Sequence, residues 1–336
     1  MYNTVDVPNI TSDQLAGVIT SGKTIRALYW GLTVRCDEKM LAWGHALEFI
    51  ATAIIEGGLL YPQSIRKYTH VDKLPEIPFT VFAHAADIFR YKIDKINKLK
   101  EMTNDENCKA VFTLGEYHKN YLLERNVPKE KIVITKQATG YKLSPLKQND
   151  REIKEIISIS RLVEKKGIDI LVDASKILEN ENLHFSIYGE GILEEDLNSQ
   201  IKELNLDKTE LKGLLNGPEE VKKTFAKSDI LVAPCRIAKD GDMDGFPTVI
   251  FEAMAYGIPV ITTDVSTIPE VIKDGVNGFI VPQNNPEALA QKILMVRDMP
   301  KDDLFKIIKQ AQKDVAATSS VEKTMNVEID TWKNIK

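Results

Sequence analysis

Between Asp240 and Asp264 the chain reads DGDMDGFPTVIFEAMAYGIPVITTD, and few folds accommodate that order of residues. A turn rich in acids and glycine comes first. Pro247 stands where a first helical residue belongs, because its missing N–H is one that a helix leaves unpaired anyway, and Gly257 stands just past the expected end. A short segment, Ile258 to Thr263, follows at once and reads as a strand. One carboxylate, Asp244, precedes the helix, and another, Glu252, sits in its second turn.

That arrangement carries a chemistry. The N–H groups of Thr248 and Val249 would point out of the helix start, where the partial positive charge makes an anion site with phosphate as its usual guest. Glu252 can accept hydrogen bonds from a ribose, and Asp244 can hold hydroxyls of a second sugar beyond the phosphates. The local reading is a sugar–diphosphate–nucleoside site. The plainer alternative is a buried helix with ordinary capping acids. Asp240, Asp242, Asp244 and Gly245 also fit the first half of an EF-hand loop. That loop needs Glu at its twelfth position, which is Phe251 here, so calcium binding of that type is rejected.

Strand-like and helix-like segments alternate through much of the chain, which favours parallel sheets in an α/β fold. The expected strands are Ile77 to Ala83, Ala110 to Leu114, Lys131 to Thr135, Glu155 to Ser160, His184 to Tyr188, Asp229 to Pro234 and Gly278 to Val281. Helices are expected over 116–124, 168–178 and 221–226, from Asn285-Pro286-Glu287 onward, and over about 321–332. Thr24 to Leu32 could be a buried strand and Met40 to Ile55 a helix. Residues 90–100 (RYKIDKINKLK) form a basic amphipathic pattern. It can touch anionic lipid at a membrane surface, but a solvated helix face is the preferred reading. Polar residues 136–150, with Gly140 and Pro145, read as a linker between two domains.

Three loops after strands hold candidate ligand groups. His84 and Asp87 follow the first of these strands. Arg161 and Lys166 follow the Glu155 strand, five residues apart, so the pair can straddle a diphosphate. Lys165 is expected to face solvent. Gly189-Glu190-Gly191 ends the His184 strand, where glycines let a backbone approach a ligand closely.

Taken together, these motifs resemble the retaining family 4 glycosyltransferases. Their signature has an acid, seven residues, then a second acid, with Gly-Phe after the first and a helix ending in Gly-x-Pro-Val. Asp244, Gly245, Phe246, Pro247, Glu252 and the run from Gly257 to Val260 match it, with Asp244 where the family usually has Glu. The resemblance covers about 75–335. It implies a GT-B fold, two Rossmann-like doubly wound parallel-sheet domains facing across a cleft. It divides the chain into an acceptor-side domain over 1–140, a nucleotide-sugar domain over 141–318, and a C-terminal helix, 319–336, that crosses back. The family's opening strand and Gly-Gly loop are not found, Gly57-Gly58 being only a weak match, so the first domain looks shortened or atypical.

The implied reaction moves a sugar, with retention, from a nucleotide-diphosphate sugar, UDP-linked by expectation, to a glycan, lipid-linked or small-molecule acceptor. No metal or other cofactor is expected. The resemblance assigns His84, Asp87, Arg161, Lys166 and Asp244 to the catalytic centre. It assigns Gly189, Gly191, Gly245, Phe246, Pro247, Thr248, Val249 and Glu252, again with Asp244, to the donor. Three alternatives stand beside it: a sugar-nucleotide epimerase on the same fold, a donor-binding but inactive partner subunit, and an interaction protein that kept only the fold.

The net charge of −5 and pI near 5.7 argue against nucleic acid as a partner. Cys36, Cys108 and Cys235 lack metal spacing and suit a reducing compartment. The N-terminal residues have no secretory pattern, and 46–61 carries Glu48 and Glu56 in a run too short to span a bilayer. The expected location is the cytoplasm, including the inner face of its membrane. Oligomeric state has no signature.

Overall fold

The computed structural model describes residues 79–83, 85–89, 100, 103–136, 143–146, 152–318 and 321–334. The chain divides into two compact units, 1–136 with 324–336, and 137–323. The expected elements over 24–32 and 40–55, the pair Gly57-Gly58, and all of 90–100 except Lys100 lie outside the described residues.

In the first unit three parallel strands lie in the order β1 (Phe79–Phe82), β2 (Cys108–Thr113), β3 (Ile132–Ile134). Phe82 pairs with Phe112, and Phe112 with Val133. β2 is almost wholly buried, as expected for a strand covered on both faces. Helices α1 (Ala85–Ile88) and α2 (Glu116–Leu123) follow the first two strands. Phe89 packs edge-on against Tyr121 at 4.7 Å and His118 at 5.1 Å.

The second unit carries six parallel strands: β4 (Glu155–Ile159), β5 (His184–Tyr188), β6 (Thr209–Gly213), β7 (Ile230–Ala233), β8 (Val260–Thr263) and β9 (Phe279–Val281). Their order in the sheet is β6-β5-β4-β7-β8-β9. The chain therefore winds outward one way from β4, then returns and winds the other way from β7. Between β4 and β7 the winding reverses, and the two connections leave in opposite directions. That opens a crevice at the carboxyl ends of these strands, the place where doubly wound sheets take ligands.

The helices are α3 (Ile168–Ile177), α4 (Glu194–Glu203), α5 (Pro218–Lys227), α6 (Thr248–Tyr256), α7 (Ile268–Val271), α8 (Pro286–Arg297) and α9 (Lys301–Thr318). The core joins Ile156, Leu171, Ile187, Val232, Ile261 and Ile293 with their neighbours. β7 and β8 are buried throughout; β7 is continuously apolar, and the two threonines of β8 donate their hydroxyls to the Ala233 and Cys235 carbonyls. Asn285 caps α8 by accepting from the Ala288 N–H at 2.8 Å. α6 ends at Gly257 with φ of 78°, a left-handed conformation costly for other residues. α9 and α4 were not anticipated from sequence, although Leu304, Ile307, Ala311 and Val315 line one face of α9 and are buried.

α10 (Val321–Lys333) lies almost wholly in the first unit. Its Thr324 hydroxyl donates to the Lys136 carbonyl at 2.9 Å. Glu328 is fully buried 3.5 Å from the Thr135 hydroxyl. Among the described residues no helix is long and apolar enough to cross a membrane.

Candidate functional site

Two loops at the switch point build the site. The first leaves β4 at Ser160 and runs through a one-turn 3-10 helix, Glu164–Lys166, into α3. The second leaves β7 at Pro234 and runs to α6. Backbone and side-chain bonds tie them together. The Arg236 N–H donates to the Lys165 carbonyl at 2.9 Å, and Arg236 Nε donates to the Glu164 carbonyl at 2.9 Å. The Arg236 guanidinium also pairs with Asp169 at 2.8 Å. From the other side, the Thr263 hydroxyl donates to the Cys235 carbonyl and the Thr267 hydroxyl to the Gly245 carbonyl, both at 2.5 Å.

At the centre lies a group of buried charges. Lys166 Nζ donates to Asp244 Oδ2 at 2.5 Å. Lys165 Nζ lies 3.1 Å from Asp242 Oδ1 and 3.4 Å from Asp244 Oδ1. Burial alone pulls the Lys166 ammonium down and pushes the Asp244 carboxyl up. Their mutual attraction, with Lys165 adding to it, reverses both, so Lys166 stays above and Asp244 below its ordinary value. Both groups are ionised at neutral pH. Arg161, exposed at the loop's start, is near enough to oppose the charge on Lys166.

The expectation that Lys165 faces solvent is wrong. Its residue is 6% exposed and its ammonium is held by two carboxylates. The physical reason is the 3-10 turn, in which Lys165 and Lys166 are both drawn to acids that arrive from the β7 loop. Asp242 was considered only as part of the calcium decoy. Here it holds an ammonium, and among the described residues no cluster of acids, histidines and cysteines has metal-binding form.

Cys235 adds a thiol 3.7 Å from Asp244 Oδ2. Burial first, then the Asp244 charge, pushes it up to about 12, so it is a neutral donor and not a nucleophile.

Around this group stand the other expected residues. α6 begins at Thr248, one residue later than expected, with Pro247 as its N-cap. No side chain caps the helix, which leaves the first N–H groups available to a ligand. Phe246 is buried and packs on Phe251 at 4.3 Å, a staple across the helix entry that fixes the angle of the chain. Glu252 lies in the second turn, partly buried, and its charge reaches the Tyr256 phenol. A small gap of about 10 Å³ remains between Ser160, Lys166, Pro247 and Val249.

Gly189 and Gly191 close the wall on the β5 side. A side chain at Gly189 would lie 1.7 Å from the Ser160 carbonyl, and one at Gly191 would lie 2.2 Å from the Leu162 carbonyl. The glycines therefore let the turn press against the Arg161 loop, where the Leu162 N–H donates to the Glu190 carbonyl at 2.9 Å. His84 lies outside the described residues. Asp87 is in α1 of the first unit, its side chain outside the described set.

Two parallel-sheet α/β units, one with cations and an uncapped helix start at its switch point, are the architecture of the GT-B fold. Structures of that fold superpose on the chain. HepE of Anabaena, solved with UDP, has a TM-score of 0.68 at 18% identity, covering 88% of this chain and 81% of that one. TarM of S. aureus, solved with UDP and other ligands, has a TM-score of 0.64 at 20% identity over 76% of this chain and 50% of that one. Residues 145–314 match the family "Glycosyl transferases group 1", and the chain belongs to it. Among relatives, the amylovoran biosynthesis glycosyltransferase AmsK of Erwinia amylovora is 32% identical over 255 residues, 74% of this chain and 60% of AmsK. WcaL of Escherichia coli (strain K12), named for colanic acid biosynthesis, is 34% identical over 200 residues, 58% of this chain and 49% of WcaL. The chain thus spans about half to three fifths of the length of these relatives.

Proposed function

We propose that the protein transfers a sugar from a UDP-sugar to a glycan or lipid-linked acceptor during polysaccharide biosynthesis, with retention at the anomeric carbon. The observation that carries this reading is the contact between Lys166 and Asp244 at the switch point, beside the uncapped start of α6. It brings a phosphate-seeking cation and a hydroxyl-seeking carboxylate together at the helix start. The names of AmsK and WcaL, and the UDP held by HepE and TarM, support the same assignment.

In this reading Arg161, Lys166 and the Thr248–Val249 N–H groups receive the diphosphate. They stabilise the charge that develops as it departs, a term that is usually the largest in catalysis. These groups supply the positive charge, so no metal is required. Glu252 accepts from the ribose, and Asp244 with the Gly245-Phe246-Pro247 backbone orients the sugar. Gly189 and Gly191, by letting the turn after β5 press on the Arg161 loop, would set that loop beside the donor. His84, oriented by Asp87, would hold the sugar near its reacting carbon. The acceptor attacks from the face that the diphosphate leaves, and the leaving phosphate takes its proton.

The test is ligand-dependent unfolding with UDP, GDP, ADP and their common sugars, with and without EDTA. Donor at 100 times its dissociation constant should stabilise by about 2.7 kcal/mol. A shift with UDP that survives EDTA is the expected result. No shift with any nucleotide would overturn the proposal. Binding with sugar isomerisation and no acceptor would favour an epimerase, and binding with no turnover an inactive partner.

A further inference from the structure

Lys165 belongs to none of the roles above, yet it is the most thoroughly enclosed cation in the site. It is 6% exposed, and two carboxylates of one loop converge on its Nζ, Asp242 at 3.1 Å and Asp244 at 3.4 Å. Two such acids, each using its Oδ1 on one ammonium, would repel if that ammonium were removed. Asp242 is itself built in. Its N–H donates to Asp240 Oδ1 at 2.9 Å, and its carbonyl accepts from the Ala238 N–H at 2.8 Å.

The two oxygens of Asp244 are divided between the two lysines. Oδ2 faces Lys166 and Oδ1 faces Lys165. A diphosphate arriving at Lys166 competes for the ammonium that Oδ2 now holds. Once Lys166 turns to the phosphate, a buried Asp244 without a second counter-charge would take up a proton or swing away. Lys165 prevents both, because its own grip on Oδ1 does not depend on Lys166.

We propose that Lys165, braced by Asp242, is a positioning residue that keeps Asp244 ionised and in place while Lys166 is handed from Asp244 to the donor diphosphate. This rests on the UDP-sugar reading above and names a part of the site that the motif itself does not. Lys165 never touches the donor; it acts through Asp244.

The prediction separates sugar from nucleotide. Calorimetric titrations would use UDP and whichever of UDP-glucose, UDP-galactose and UDP-N-acetylglucosamine stabilises the wild-type chain most. Wild type should bind the sugar nucleotide more tightly than UDP. Lys165→Met should bind UDP within about threefold of wild type but lose at least tenfold in the sugar increment. Asp242→Asn, which keeps the size of the side chain and leaves no bare acid, should lose the same increment more mildly. Lys165→Arg, which retains a cation, should restore much of it. A variant that was merely unstable would lose UDP and sugar nucleotide in parallel, and that result overturns the proposal. So does an unchanged sugar increment in both Lys165→Met and Asp242→Asn. If the wild-type chain binds no UDP at all, the transferase reading fails first and the proposal falls with it; if wild type binds and the variants match it, only the proposal fails.

Discussion

Breaking the Lys166–Asp244 pair from one side should not equal breaking it from the other. In Asp244→Asn, Lys166 loses its carboxylate while remaining largely buried, with its side chain 14% exposed. Removing one partner of a buried pair typically costs about 3–5 kcal/mol. The amide oxygen of Asn can still accept, and Lys165 keeps Asp242, so the lower end applies, about 3 kcal/mol. For a unit of this size that is about 6–12 °C in Tm. In Lys166→Met, by contrast, Asp244 still has Lys165 at 3.4 Å and the Cys235 thiol at 3.7 Å. No bare charge is created, and about 1 kcal/mol is expected. Binding should move the opposite way. Lys166→Met loses a charge-assisted bond to the diphosphate, about 1.5–3 kcal/mol, or roughly 10- to 100-fold in Kd for UDP. Asp244→Asn leaves Lys166 uncommitted, so UDP should bind at least as tightly as to wild type. Scanning calorimetry of the unfolding transition and titration calorimetry with UDP give both quantities. If Lys166→Met is the less stable variant, or if both lose UDP alike, the division of charge described here is wrong.

Other parts of the fold carry expected outcomes of their own. Gly189→Ala places a methyl 1.7 Å from the Ser160 carbonyl at φ of 140°, so it should lower the unfolding temperature and weaken UDP-sugar binding more than tenfold, both read in one thermal-shift titration. Asn285→Ala removes the α8 cap and should cost about 1 kcal/mol, seen as a small Tm decrease with UDP affinity unchanged. Cys235, with its thiol raised to about 12, should resist iodoacetamide at pH 8 in the folded chain and react once urea unfolds it; fast native alkylation would contradict its burial. Glu328 is raised to about 7 by burial, against an unfolded value of about 4.3, so its protonated form is the one the fold prefers; its own contribution to stability is full below about pH 4 and is lost as pH rises through 7. Glu328→Gln should flatten that decline, and equal slopes in both chains would exclude the effect.

How far the sequence could be read depended on the range of each interaction. Strands of the second unit such as Ile230–Ala233 were readable because a buried parallel strand is a continuous apolar run, whereas β6, with its alternating TELKG, was not anticipated. The α6 boundaries were readable within one residue because Pro247 and Gly257 act on their own backbone. Asn285 was readable as a cap for the same reason, its bond reaching only to Ala288. α9 carried a sound amphipathic signal at Leu304, Ile307, Ala311 and Val315 and could have been found from it. Lys165 is a different case. Its partners lie 77 and 79 residues on, at Asp242 and Asp244, and nothing local distinguishes it from Lys166. Two adjacent lysines in a loop suggest one ligand-facing and one solvated side chain. Only the sheet order, which sets the loop after β4 beside the loop after β7, brings both to the same acids. The motif names the groups that meet a donor. The topology decides which neighbouring charge holds those groups still, and that second set is read from the fold or not at all.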